Sequence, residues 1–156
     1  MISVSHGAWS RDFMIIYGIL KEWDTGKRMK EYTVKATDIN DPTHVVNGTV
    51  SKSGKYEIRL NEMRDYLITW SSPGYVDRSV LISTAGPSEK EQRQGFGMHI
   101  EAVLLKFKDG VDYSSLNAPF GKAAYDPIKK RYEWDLGYTD SMREAQLKLM
   151  EEYKRH

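Results

Sequence analysis

Four histidines, two groups of acidic side chains and one short basic run are the residues here whose types can do chemistry. His6, His44, His99 and His156 show no metal-type spacing, and the nearest approach to a motif is His99-x-Glu101. On a strand, residues two apart share a face, so that pair would set an imidazole beside a carboxylate. Zinc or hydrolase chemistry requires more groups converging on one point, and a strand-surface pair is the plainer reading. Asp38, Asn40 and Asp41 place oxygen-bearing side chains in one loop, and Asp109 with Asp112 in another. A hard cation wants several converging oxygens, but the glycine and bidentate glutamate of an EF-hand loop are missing. Turns closed by Asp and Asn side chains account for the same residues. The expectation is therefore no catalytic residue, no metal and no cofactor.

The basic run Lys129-Lys130-Arg131 stands beside Tyr132 and Trp134, a pairing that can serve nucleic acid. Formal net charge is only +1, so a solvated hairpin turn is preferred and no nucleic-acid partner is expected. The tryptophans carry more weight. Exposed aromatic faces can stack on sugars, which makes Trp23, in the first turn, and Trp134, near the C-terminus, candidates for carbohydrate contact. Each can instead hold the C-terminal region against the rest of the chain. Trp70 ends an apolar alternation and is expected in the core. Cysteine is absent, which removes disulfides, thiolate zinc sites and a cysteine nucleophile.

These side chains must be positioned by a framework that reads as β. The 156 residues suit one domain, and 40% hydrophobic with 29% charged residues is ordinary for a globular chain. The longest apolar run, 13–20, is too short to span a bilayer, so no transmembrane segment is expected. The stretch 49–75 organises the reading. In it, two alternating runs, 56–60 and 66–70, form a hairpin-like pair, and Gly54 and Gly74 sit in turns that require positive φ. Around it the alternation predicts strands at 11–20, 32–39, 45–51, 75–83 and 97–107. In the first, Phe13, Ile15, Tyr17 and Ile19 share a face. Gly26 closes the turn Asp24-Thr25-Gly26-Lys27, and 86–94 reads as a charged loop. Seven short strands separated by turn signals predict a mainly β chain built as a β-sandwich.

The order Tyr17-Gly18-x-Leu20, Asp24-Thr25-Gly26-Lys27, Tyr32-x-Val34, Ser53-Gly54-Lys55-Tyr56, Tyr66-x-Ile68 and Pro73-Gly74-Tyr75 resembles the carboxypeptidase regulatory-like domain. Met29 stands near the usual proline of that pattern, Ser51 stands where Asp is common, and no Leu-Pro-x-Gly turn precedes Tyr66. The resemblance covers residues 13–107 and implies a seven-stranded transthyretin-like, Ig-like sandwich. In the peptidases that carry it, this module is the non-catalytic appendage, so the resemblance implies a chain that is not an enzyme. The tail Leu116-Asn117-x-Pro119-x-Gly121-Lys122 with Tyr125-Asp126-Pro127 is similar to extensions on exported proteins of Bacteroidota. That implies a place in the periplasm or at the outer membrane.

The expected organisation is an N-terminal arm over 1–10, the sandwich over 11–107, and an extension over 108–156 ending in a helix at about 140–155. Ser141 and Glu144 suit a capping box, with Thr139 or Asp140 as alternative caps. Met142, Ala145, Leu149 and Tyr153 fall on one helical stripe that needs a surface, in this chain or in a partner. The function expected is a structural or protein-interaction module of the envelope, an accessory subunit of an assembly, working through exposed strand edges and the stripe of Met142, Leu149 and Tyr153. Self-association would use the same surfaces. The alternative is a carbohydrate-binding sandwich using Trp23 or Trp134.

Overall fold

The alternation of apolar and polar residues builds two mixed sheets that share one core in the computed structural model, which describes residues 12–156. The expected arm over 1–10, with His6 and Trp9, lies outside the described residues. Strands β1 (Met14–Glu22), β4 (Thr49–Val50), β5 (Lys55–Leu60), β8 (Phe96–His99) and β9 (Ala102–Leu104) form the first sheet. Its order is β4-β5-β1-β8, with β9 also on β1. The second sheet has the order β11-β10-β7-β6-β2-β3. Its strands are β2 (Thr33–Asp38), β3 (Asp41–Asn47), β6 (Asp65–Ser71), β7 (Arg78–Ser83), β10 (Lys122–Asp126) and β11 (Arg131–Trp134). Eleven strands thus stand where seven were expected among the described residues.

The excess has local causes. The expected strand 45–51 is two strands, because the chain crosses from the second sheet to the first at Gly48. A Cβ there would lie 2.6 Å from Val34 Cγ1 and 2.9 Å from the Glu57 carbonyl oxygen, so only glycine passes. The expected strand 97–107 breaks after His99 into β8 and β9, both parallel to β1. Residues 122–134, within the expected extension, form a hairpin, and β10 continues the second sheet by pairing parallel to β7. The supposed hairpin of 56–60 and 66–70 is a correction of another kind. β5 pairs with β1 and β4, whereas β6 pairs with β2 and β7, so the connection between them changes sheets. The loop expected over 86–94 holds a helix, α1 (Glu89–Gln94), closed by a capping box between Ser88 and Glu91. It buries no residue, in keeping with its polarity.

The core is aromatic at its centre. Tyr56 and Trp70 meet edge to face at 5.8 Å across the two sheets, and Tyr32 meets Tyr56 at 6.5 Å. Met14, Ile16 and Leu20 of β1 face inward, so the face carrying Ile15, Tyr17 and Ile19 is the outer one, and Tyr17 is 44% exposed. The half-buried Arg78 bridges the sheets by donating to the Val103 carbonyl (3.4 Å) and lying over Phe120 at 4.7 Å. Burial pulls its pKa down to about 10.

The helix α2 runs Leu136–Arg155, starting earlier than expected. Asp135 caps it by accepting from the Tyr138 N–H at 3.0 Å, in place of Ser141, Thr139 or Asp140. Leu149 and Tyr153 are buried against Leu105 and Leu116 in a second, smaller cluster. The Tyr153 hydroxyl donates to the Lys106 carbonyl at 2.8 Å. Among the described residues no helix is long and apolar enough to cross a membrane.

Gly26, Gly54 and Gly74 all have positive φ, at 68°, 88° and 82°. Their surroundings differ. A Cβ on Gly54 would lie 2.3 Å from the Met29 carbonyl oxygen, whereas one on Gly74 meets nothing within 4 Å. Gly74→Ala should therefore cost only the left-handed backbone strain, about 1 kcal/mol, and Gly54→Ala about 3 kcal/mol once the clash is added. Urea unfolding of both variants checks this, and equal losses would contradict the packing described around Gly54.

Candidate binding cleft on the first sheet

Alternation within β1 and β5 sends one set of side chains into the core and the other onto the outer face. Register then sets that outer set in a row. Thr49 lies opposite Glu57, Glu57 opposite Tyr17, and Tyr17 opposite His99. Four strands at about 4.8 Å spacing make the row roughly 14 Å long. A second row sets Lys55 opposite Ile19. Together with Arg28 and Ser51 these residues line an open cleft of about 710 Å³.

The cleft has an aromatic floor and a polar rim. Tyr17 and His99 lie 5.4 Å apart, tilted by 60°. Arg28 donates to the Ser53 carbonyl at 3.4 Å, which ties its loop to the β4–β5 turn. Its charge also reaches the Tyr32 hydroxyl, which burial pushes up to about 12 while Arg28 pulls the other way. Glu57 is engaged sideways, accepting from Arg59 Nε at 3.2 Å and Nη2 at 3.3 Å. Such a surface can stack a ring and hydrogen-bond its periphery.

The residues singled out in the sequence go elsewhere, with His99 the exception. Glu101 pairs with Lys21 at 2.9 Å and leaves His99 to Tyr17, so the His-x-Glu pair is not assembled. The oxygens of the 38–41 loop converge on a guanidinium. Arg64 reaches Asp38 at 2.7 Å, Glu62 at 2.7 Å and Asp41 at 3.9 Å. Asp112 closes a turn by accepting from the Ser114 N–H at 2.9 Å. Lys129 and Arg131 both pair with Glu133 at the β10–β11 hairpin. Trp23 packs edge-on against Tyr153 at 5.2 Å. Trp134 is partly buried against the main core, and a Cβ on Gly121 would lie 2.9 Å from its ring. Met142 is only partly buried, while Leu149 and Tyr153 are used inside the chain.

Sequence reasoning missed Tyr17, Arg28, Lys55 and Ser51 as a group. The signal was present only in part, because β1 is apolar on both faces and its parity is ambiguous. Juxtaposition of four strands is set by pairing between sequence-distant segments, which alternation does not encode.

No family model matches the chain, and no curated protein matches it. Among solved structures it is similar to chlorocatechol 1,2-dioxygenase from Pseudomonas putida, with 10% identity and a TM-score of 0.41 over 60% of each chain. It is also similar to a mutant catechol 1,2 dioxygenase of Acinetobacter radioresistens, with 13% identity and a TM-score of 0.45 over 70% of this chain and 57% of that one. The chain thus spans about three fifths of the length of those proteins. One expectation is corrected by this finding. Both neighbours are enzymes by name, so the exclusion of catalysis drawn from the sequence does not stand.

Arg64 gives a pH prediction. Its hydrogen bond to the buried Asp38, followed by that from the Asn40 N–H, holds the Asp38 carboxyl below its ordinary pKa. A carboxyl depressed by folding stabilises the fold above its unfolded pKa, and that contribution disappears as pH falls through the folded pKa. Stability should therefore decline below about pH 4, and less steeply in Asp38→Asn. Thermal melting across that range checks it, and parallel curves for the two proteins would contradict it.

Proposed function

We propose that the chain is a binding module that holds a carbohydrate along the outer face of the first sheet. The observation that carries this reading is the cross-strand row Thr49, Glu57, Tyr17 and His99. A pyranose has an apolar C–H face and a rim of hydroxyls. An exposed aromatic floor takes the first, and hydroxyl, carboxylate and cationic groups on the rim take the second. This moves the carbohydrate site away from Trp23 and Trp134, whose rings are occupied in packing. The protein-interaction reading relied on the stripe of Met142, Leu149 and Tyr153. With Leu149 3% and Tyr153 0% exposed, that stripe offers a partner little more than Met142.

We also propose that the two sheets are a transthyretin-like sandwich of the carboxypeptidase regulatory-like kind, serving as an accessory subunit in a bacterial envelope. Support comes from Ser53-Gly54-Lys55-Tyr56, where the glycine makes the turn and the tyrosine enters the core.

Tyr17 is the residue to test. Its side chain is on the outer face, so Tyr17→Ala should leave folding intact while weakening glycan binding at least tenfold, about 1.4 kcal/mol. Glycan-array screening of the unaltered protein, then titration of the best glycan with both proteins, provides the measurement. Undiminished binding by a folded Tyr17→Ala protein would sink the proposal.

A further inference from the structure

Two loops meet at the mouth of this cleft, and both are basic. The β1–β2 connection supplies Lys27, Arg28 and Lys30, and the β4–β5 connection with the start of β5 supplies Lys52 and Lys55, all five exposed. The loops are in contact, since Gly54 lies against the Met29 backbone and Arg28 donates to the Ser53 carbonyl. Among the described residues none of the five has a carboxylate oxygen within 4.0 Å. The same two connections carry two acids, Asp24 and Glu31, against those five cations. Glu57 is held by Arg59. Glu31 is exposed and makes no ion pair among the described residues. In a chain of net charge +1 this is a local concentration of positive charge beside an aromatic floor.

We infer that the ligand of this cleft is an acidic polysaccharide, with Arg28 and Lys55 receiving its anionic groups while a sugar ring lies against Tyr17 and His99. The inference rests on the carbohydrate reading above and adds the charge class. Arg28 and Lys55 line the cleft itself, and Lys27, Lys30 and Lys52 add positive charge in the same two loops. Guanidinium can grip a carboxylate with two parallel hydrogen bonds, whereas lysine acts as a point charge. An acidic peptide would satisfy the cations, but it would gain less from a row of aromatic and hydroxyl groups.

The test is titration of the full chain with polygalacturonate, neutral dextran and polyglutamate, each at low and high salt. Polygalacturonate should bind best, and its affinity should fall with added salt. Arg28→Glu with Lys55→Glu should weaken it at least tenfold with an unchanged melting temperature. If charge reversal unfolds the chain, Arg28→Gln with Lys55→Gln serves instead, with a smaller loss expected. Affinity untouched by the substitutions would overturn the inference. Equal binding of dextran would leave the carbohydrate reading standing and remove the acidic class. Equal or tighter binding of polyglutamate would make the occupant an acidic protein, and binding of none of the three would remove both readings.

Discussion

The hydroxyl of Tyr56 donates to the Ile100 carbonyl at 2.6 Å, and much of the fold is arranged around that bond. The ring starts on β5, passes beneath β1 and ends where the chain leaves β8, so one side chain ties three segments of the first sheet. It can cross because β1 carries Gly18 opposite Tyr56. A Cβ at that position would lie 2.2 Å from the Ile100 oxygen. Burial drives the Tyr56 pKa well above the ordinary tyrosine range, so the hydroxyl stays a donor throughout the physiological range. Without it, the Ile100 carbonyl would lose its buried donor, at a cost of about 1–3 kcal/mol. The same ring meets Trp70 of the second sheet, so that hydrogen bond and the inter-sheet contact fix one another.

This constraint reaches the outer surface. With β5, β1 and β8 held in one register from below, the side chains pointing the other way are held in one register too. The row from Thr49 to His99 is thus a consequence of the core, and its order does not depend on contacts among its own members. Several other aromatic residues are used internally. Trp23 and Tyr153 clamp α2 to the β1–β2 turn, and Phe96 gathers Tyr125 and Tyr132 at 5.8 Å and 5.2 Å where the β10–β11 hairpin joins the fold.

Legibility in the sequence followed the range of the interaction. The alternation of Tyr32, Val34 and Ala36, or of Tyr56, Ile58 and Leu60, is local, and those residues are buried as it implies. The turn glycines at 54 and 74 were legible for the same reason. Strand pairing was not. Nothing local tells that 56–60 and 66–70 part company between sheets, or that Gly48 marks a crossing. The α1 capping box, Ser88 with Glu91, was present in the sequence but hidden by the charge of its loop. At the site, β1 was silent because both its faces are apolar, and its parity follows from pairing with sequence-distant strands.

The central claim is that the outer face of the first sheet, and not the helix or a strand edge, meets the ligand. Amide chemical-shift mapping by NMR with polygalacturonate addresses it most directly. Perturbations should cluster at Arg28, Ser51, Lys55, Tyr17 and His99 and be small along 136–155. A map centred on the helix or on the β3 edge, with the cleft silent, would contradict the account.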